Sequence, residues 1–116
     1  MLRSVGTAVW LDSEDQMDAV TALSGSGPAY FFYFMEAIEK AAMSLGLDEE
    51  MARLLTIETA VGAAKMALLS THDPATLRQQ VTSPGGTTEQ ALKVFAEAGL
   101  DEIINKAMQA AKQRSI

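Results

Sequence analysis

The sequence predicts an all-α helical bundle that two copies of the chain build together as an intertwined dimer, preceded by one short strand. Three observations predict it. Helix-capping signals recur along the chain after residue 12, two central segments are apolar around their whole circumference, and only residues 5–11 alternate as a strand does. The length of 116 residues suits one domain, and 48% apolar residues with a net charge of −6 exclude a disordered chain.

The composition also excludes several functional classes. With no Cys and one His, thiol chemistry, disulfides and a Cys/His zinc site are excluded, and we expect no metal site. The negative charge argues against nucleic acid or anionic membranes as partners. The longest nearly apolar run, residues 28–35, is far shorter than the ~20 residues of a membrane span. With no visible signal peptide, the expected location is the cytoplasm.

The strand and the helices divide the chain into a junction segment, residues 1–12, and a helical domain, residues 13–116. A lone strand over Val5–Leu11 cannot satisfy its own backbone groups, so we expect it to pair with another domain, a partner chain or its own copy. Helices are expected over 14–23, 28–45, 49–70, 74–81 and 101–116, and another is expected to begin at Thr87 or Thr88 and run to Ala98. Ser13, Asp48 and Asp73 are the expected N-caps, and Gly46 and Gly99 the expected stops.

Two of these helices predict an oligomer. Tyr30–Met35 are all large apolar or aromatic residues, and residues 60–69 carry only one charge, Lys65. A helix on a monomer surface would keep a polar face. The alternative is that both helices are central in one monomeric bundle, which is harder because small domains bury only ~60–70% of their surface. We therefore expect a homodimer, with a higher oligomer possible.

The segment Val81–Glu89 has the strongest local signal for a binding site. Its glycines allow the backbone to fold with N–H groups pointing inward, and the following helix adds unsatisfied N–H groups and its positive dipole end. Hydroxyls add donors and acceptors. The predicted receptor for a small carboxylate or phosphate comprises Ser83, Gly85, Gly86, Thr87 and Thr88. The alternative is a capped turn in which Thr87 and Gln90 form a capping box.

A second glycine-rich elbow precedes the aromatic helix and consists of Ser24, Gly25, Ser26, Gly27 and Pro28. No βαβ unit surrounds it and a third glycine is absent, so it is not a dinucleotide fingerprint. A direct ligand contact and a tight structural turn both remain open. The acidic residues at 12–18 are interpreted as a solvated helix start, and His72 as a turn residue.

The residues Asp18–Tyr30, followed some fifty positions later by Val81–Thr88, resemble the C-terminal half of the pyrroline-5-carboxylate reductase family, and Gly62–Met66 is also similar. The resemblance covers nearly the whole chain. It implies reduction of 1-pyrroline-5-carboxylate to L-proline, a step of proline synthesis, by a nicotinamide hydride. It also implies an N-terminal Rossmann domain for NADPH or NADH, and an interlocked helical dimer that can assemble further.

The resemblance also implies roles for individual residues. Ser83, Gly85, Gly86 and Thr87 would hold the substrate carboxylate, and the Thr88 hydroxyl would bond the ring nitrogen as the catalytic group. Ser24–Pro28 would lie near the nicotinamide. Since no Rossmann half is present, residues 1–12 are expected to be its junction, no cofactor is expected on this chain, and the chain alone should dimerise without turnover. The rival interpretation is a stand-alone helical interaction module with purely structural elbows.

Overall fold

A computed structural model describes residues 3–4, 7–8 and 13–115, and they are almost entirely helical. Six α-helices follow two very short strands, and a π-helical turn, Thr21–Gly25, joins the first helix to the second. The elements are β1 (Arg3–Ser4), β2 (Thr7–Ala8), α1 (Glu14–Val20), α2 (Gly27–Ser44), α3 (Glu49–Leu69), α4 (Pro74–Gln80), α5 (Thr87–Glu97) and α6 (Leu100–Ser115). The all-α prediction is confirmed.

The strand at the beginning of the chain pairs differently from the expectation. β1 and β2 run antiparallel, with Arg3 opposite Ala8 and Ser4 opposite Thr7. Thr7–Ala8 thus pairs along one edge with a neighbouring segment of the same chain, a partner that the expectation did not include. The rest of the predicted strand, at 5–6 and 9–11, lies outside the described residues.

Three of the predicted N-caps are confirmed. The Ser13 hydroxyl accepts from the Gln16 N–H at 3.2 Å, and the Asp48 and Asp73 carboxylates accept from residues three positions later at 2.8 Å. The Thr76 backbone N–H, and then its side chain, lower the pKa of Asp73 because both stabilise the charged carboxylate. These caps fix the starts of α1, α3 and α4 through local contacts alone.

The predicted stop after α2 is also confirmed. Gly46 has a φ of +108°, which a side chain would disfavour. The N–H of Leu47 bonds to the Ala42 carbonyl at 3.2 Å, and the N–H of Gly46 bonds to the Met43 carbonyl at 3.0 Å. This pair of bonds is the Schellman arrangement, which satisfies the last carbonyls of the helix.

The chain forms two compact units, each described by itself. In the first, Met1–Tyr33 with Gly99–Ile116, α6 packs against α1 and the π-helical turn. Lys112 of α6 lies 2.8 Å from the Asp15 carboxylate of α1. The Ser115 hydroxyl lies 3.0 Å from the Asp18 carboxylate. The acidic start of α1, interpreted as a solvated face, is therefore partly used to hold α6.

The second unit, Phe34–Ala98, carries few buried side chains. Ala52 and Thr56 of α3 are buried. Arg53 of α3 lies 3.4 Å from the Glu39 carboxylate of α2. The rings of Phe34 and Phe95 approach to 6.4 Å between centroids. Among the described helices, none is both long and apolar enough to cross a membrane.

Candidate functional site

The candidate loop begins where α4 ends. The Thr82 N–H bonds to the Gln79 carbonyl at 3.1 Å, and the Thr82 hydroxyl donates to the Arg78 carbonyl at 2.6 Å. These bonds satisfy two of the carbonyls that the end of a helix leaves without partners. They fix the direction in which the chain leaves α4 and enters the glycine turn.

The glycine turn is a tight β-turn over residues 83–86. The Gly86 N–H bonds to the Ser83 carbonyl at 3.0 Å, and Gly85 has a φ of +74°. Pro84 followed by a glycine of positive φ is the pattern of a type II turn. A Cβ on Gly86 would lie 3.2 Å from the Ser83 carbonyl oxygen. Gly85 is thus favoured by its backbone conformation, whereas a side chain at Gly86 would need the Ser83 carbonyl to move by a few tenths of an ångström.

The start of α5 is capped differently from the predicted capping box. Gly86 is the N-cap and makes no side-chain cap bond, and Thr87 is already the first helical residue. The Glu89 carboxylate instead reaches back to accept from the Gly85 N–H, at 3.1 Å. The capping box of Thr87 and Gln90, which belonged to the capped-turn alternative, is therefore not formed. Glu89, a residue the sequence reasoning did not single out, carries this role at the third helical position.

The five predicted receptor residues lie in the glycine turn and in the first two positions of α5. Thr88 is half-buried, while Ser83 and Thr87 are exposed. The N–H groups of Gly85 and Gly86 are engaged within the loop, by Glu89 and Ser83 respectively. The N–H groups of the first helical turn have no intrahelical acceptor. An anion at this end of α5 would therefore meet the amides of Thr87 and Thr88 and the nearby hydroxyls, and it would reach the Gly85 N–H only in place of Glu89.

The first elbow is built around the π-helical turn, which the sequence did not predict. The Ser26 N–H bonds to the Thr21 carbonyl at 2.9 Å, five residues back. The Ser24 hydroxyl donates to the Val20 carbonyl at 3.1 Å, and the Tyr30 hydroxyl to the Ala22 carbonyl at 2.6 Å. The hydroxyl side chains in and next to this turn were the available signal, because Thr21, Ser24 and Tyr30 each donate to a backbone carbonyl there.

These bonds favour the structural interpretation of the elbow. Its hydrogen bonds stay within the segment, and no buried side-chain polar atom in the described residues lacks a partner. Gly27 already belongs to α2, so the helix begins one residue before the predicted Pro28. The Ser24 hydroxyl and the Ser26 N–H are thus engaged within the turn, and a position near the cofactor stays a prediction for Ser24–Pro28.

The acidic residues that the structure describes, and His72, show no arrangement for metal binding. Within residues 13–115 and the four strand residues, no three His, Cys, Asp or Glu side chains are grouped to hold a metal ion. Asp15 and Asp18 contact α6, while Asp12 lies outside the described residues. The backbone N–H of His72 donates to the Ser70 hydroxyl at 3.0 Å, within a turn.

The long helices expose a large apolar surface. Phe31 is 66% exposed, Phe32 67% and Tyr33 74%. Further exposed apolar side chains on α3 include Leu54, Leu55, Ile57, Val61, Met66, Leu68 and Leu69. A stable soluble monomer rarely leaves such surfaces open to water. The apolar helices that the sequence predicted to be buried are thus not buried by the chain itself.

Together, the all-α fold and its open apolar helices define a dimerisation domain, in which each chain supplies part of a shared core. The family comparison agrees: the model described as pyrroline-5-carboxylate reductase dimerisation matches residues 14–116. The chain belongs to this family of dimerisation domains, and the resemblance identified from its two elbows is confirmed.

Curated relatives and solved structures give the same assignment. The chain is 56% identical to pyrroline-5-carboxylate reductase from Pseudomonas aeruginosa over 115 residues, which are 99% of this chain and 42% of that protein. A pyrroline-5-carboxylate reductase structure from Coxiella burnetii superposes with a TM-score of 0.88 at 55% identity, covering 91% of this chain and 39% of that one.

A more distant structure has the same fold. The Plasmodium falciparum pyrroline carboxylate reductase, described with NADP bound, superposes with a TM-score of 0.86 at 32% identity. It covers 90% of this chain and 40% of that chain. The chain thus spans about two fifths of the length of the relatives it matches.

Proposed function

We propose that this chain is the part of a pyrroline-5-carboxylate reductase that forms the homodimer and supplies the loop for the substrate carboxylate. The reaction would be the reduction of 1-pyrroline-5-carboxylate to L-proline, in proline biosynthesis and in the cytoplasm. The observation that carries the proposal is the open apolar surface of α2 and α3 in a family named for dimerisation. Larger assemblies of dimers are compatible with it.

The substrate part of the proposal rests on the loop before α5. Backbone amides at a helix start attract a carboxylate through their free hydrogens and the helix dipole. The hydroxyls of Ser83 and Thr87 are exposed and add hydrogen-bond partners. The Thr88 hydroxyl, on the half-buried second helical residue, is proposed as the group that hydrogen-bonds the ring nitrogen. Reduction of a cyclic imine needs chiefly a positioned hydride donor and help with protonation at nitrogen.

This chain is expected to contribute few of the contacts to the nicotinamide cofactor. A nicotinamide cofactor, NADPH or NADH, supplies the hydride when bound, and we propose that protein outside these 116 residues holds most of it. The relative from Plasmodium falciparum has NADP. The elbow Ser24–Pro28 would at most border the nicotinamide, because the Ser24 hydroxyl and the Ser26 N–H are engaged in the π-helical turn.

A titration with L-proline tests the carboxylate site on the chain itself. We expect amide shifts at Gly85, Gly86, Thr87 and Thr88 in nuclear magnetic resonance spectra, and no comparable shifts with L-prolinamide. Prolinamide keeps the ring and lacks the negative charge, so it separates carboxylate recognition from contacts with the ring. No shift at these amides up to the solubility limit of L-proline would contradict the proposed site and favour a purely structural loop.

A further inference from the structure

The loop proposed to receive a carboxylate already holds one. The Glu89 carboxylate accepts a hydrogen bond from the Gly85 N–H at 3.1 Å. Glu89 is the third residue of α5, where a negative side chain is stabilised by the helix dipole. Its carboxylate therefore uses the same amide, the same dipole and the same kind of hydrogen bond that a carboxylate ligand would use.

The Gly85 amide cannot serve both groups fully. An amide carries a single hydrogen, and two carboxylates sharing it would each gain a weaker bond. Two negative charges brought together at one helix start also repel each other. Gly86 offers no substitute, because its N–H is held by the Ser83 carbonyl at 3.0 Å. A carboxylate bound at Gly85 must therefore replace Glu89.

We infer that Glu89 is a displaceable internal ligand of the carboxylate loop, which competes with the substrate carboxylate for the Gly85 N–H. The inference rests on the proposed carboxylate site. It assigns to Glu89 the effect of weakening the binding of the substrate carboxylate at that site. Glu89 is exposed, so its side chain can turn into water when the ligand arrives. The backbone turn at Gly85 is held independently by the bond between Gly86 and Ser83, so release of Glu89 leaves the loop in shape.

Two substitutions remove the competitor in different ways. Glu89→Ala deletes the acceptor, and Glu89→Gln keeps a neutral acceptor of similar shape while removing the charge. Since one hydrogen bond contributes about 0.5–1.5 kcal/mol net, we expect Glu89→Ala to lower the Kd for L-proline about two- to tenfold, and Glu89→Gln to lower it by less. Glu97→Gln removes the same charge about 12 Å away along α5 and should leave the Kd unchanged.

The test is the L-proline titration on the 116-residue chain and its three variants, with the Gly85 amide followed directly. The Gly85 shift in the free chain should change in Glu89→Ala and Glu89→Gln and stay in Glu97→Gln. Tighter binding in Glu89→Ala supports displacement. Binding that is unchanged or weaker in Glu89→Ala, with L-proline still bound at the loop by the unmodified chain, overturns the inference and leaves the proposed function standing. Absence of loop binding in all four proteins overturns both.

Discussion

The Tyr30 hydroxyl lies 2.6 Å from the carbonyl oxygen of Ala22, so a side chain on α2 holds the π-helical turn eight residues before it. Ala22 is almost fully buried, at 2% exposure, and lies within the π-helical turn. This bond ties the first elbow to the start of the aromatic helix and explains why the elbow has a fixed shape without glycines of positive φ.

Removal of that hydroxyl should weaken the first unit. We expect Tyr30→Phe to lower the free energy of unfolding by about 0.5–1.5 kcal/mol, because the Ala22 carbonyl loses a donor in a buried place. Ser44→Ala removes an exposed hydroxyl that donates to the Lys40 carbonyl within the same helix, and should not lower stability. Urea denaturation at one fixed protein concentration measures both. Equal effects of the two substitutions would contradict the assigned role of Tyr30.

Replacement of the turn glycine Gly85 should destabilise the fold because of its backbone conformation. Gly85→Ala should lower stability by about 1–2 kcal/mol, because it places a side chain at a φ of +74°. Ser83→Ala changes a side chain in the same turn without touching its backbone bonds, and should leave stability nearly unchanged. Thermal unfolding of both variants checks the difference. A Gly85→Ala variant as stable as the unmodified chain would exclude the observed turn.

The cap of α4 should produce a pH dependence at acidic pH. Because the folded-state pKa of Asp73 lies below its ordinary value of 3.8, the cap stabilises the fold above that value. The contribution is lost as the pH falls through the folded pKa. Asp73→Asn keeps a capping oxygen that does not titrate. The stability difference between the two proteins, measured by urea denaturation from pH 6 to 2, should therefore shrink on acidification. A constant difference would contradict the cap.

The contact between α1 and α6 should show as a coupling between Asp15 and Lys112. In a double-mutant cycle with Asp15→Asn and Lys112→Gln, we expect a coupling of about 0.2–1 kcal/mol that decreases with added salt. The 2.8 Å pair joins two helices distant in sequence, whereas the pair Glu102 and Lys106 lies within α6. Additive effects of Asp15→Asn and Lys112→Gln at low salt would show that α6 is not held at this position.

Local signals explain what the sequence could predict. The caps at Ser13, Asp48 and Asp73 and the stop at Gly46 depend on residues two to four positions away, so their chemistry is visible in a short window. Because α2 is apolar around its whole circumference, the sequence also predicted correctly that a single chain would leave part of this helix exposed. The family resemblance added the dimerisation assignment, which the residues alone left open against a monomeric bundle.

The errors and omissions have equally physical causes. The π-helical turn depends on Tyr30, which reaches back across eight residues, and on packing by α6 from the other end of the chain. Glu89 was missed because the sequence also allows Thr87 as the N-cap, which would make Gln90 the third helical residue. In the structure the N-cap is Gly86, one residue earlier, so the third helical residue is Glu89. The pairing of Thr7–Ala8 needed a two-residue partner strand, too short to give an alternating pattern.

The aromatic helix should not tolerate a charge if a second copy covers it. We expect Phe31→Asp and Ala63→Arg to give monomers or aggregates, because each would bury an unpaired charge in the shared core. Gln113→Asp places a charge on exposed α6 and should keep the parent assembly. Size-exclusion chromatography with light scattering measures all three. If Phe31→Asp and Ala63→Arg both form dimers of unchanged stability, the interface does not lie on these helices.

Sedimentation equilibrium of the unmodified 116-residue chain tests the shared core most directly. At micromolar concentration we expect a mass of at least twice the 12.4 kDa of one chain. Circular dichroism should show a helical protein at every concentration at which this dimer is populated. A cooperative, folded species of 12.4 kDa at micromolar concentration would contradict the account, since the apolar faces of α2 and α3 would then be stable in water with nothing to cover them.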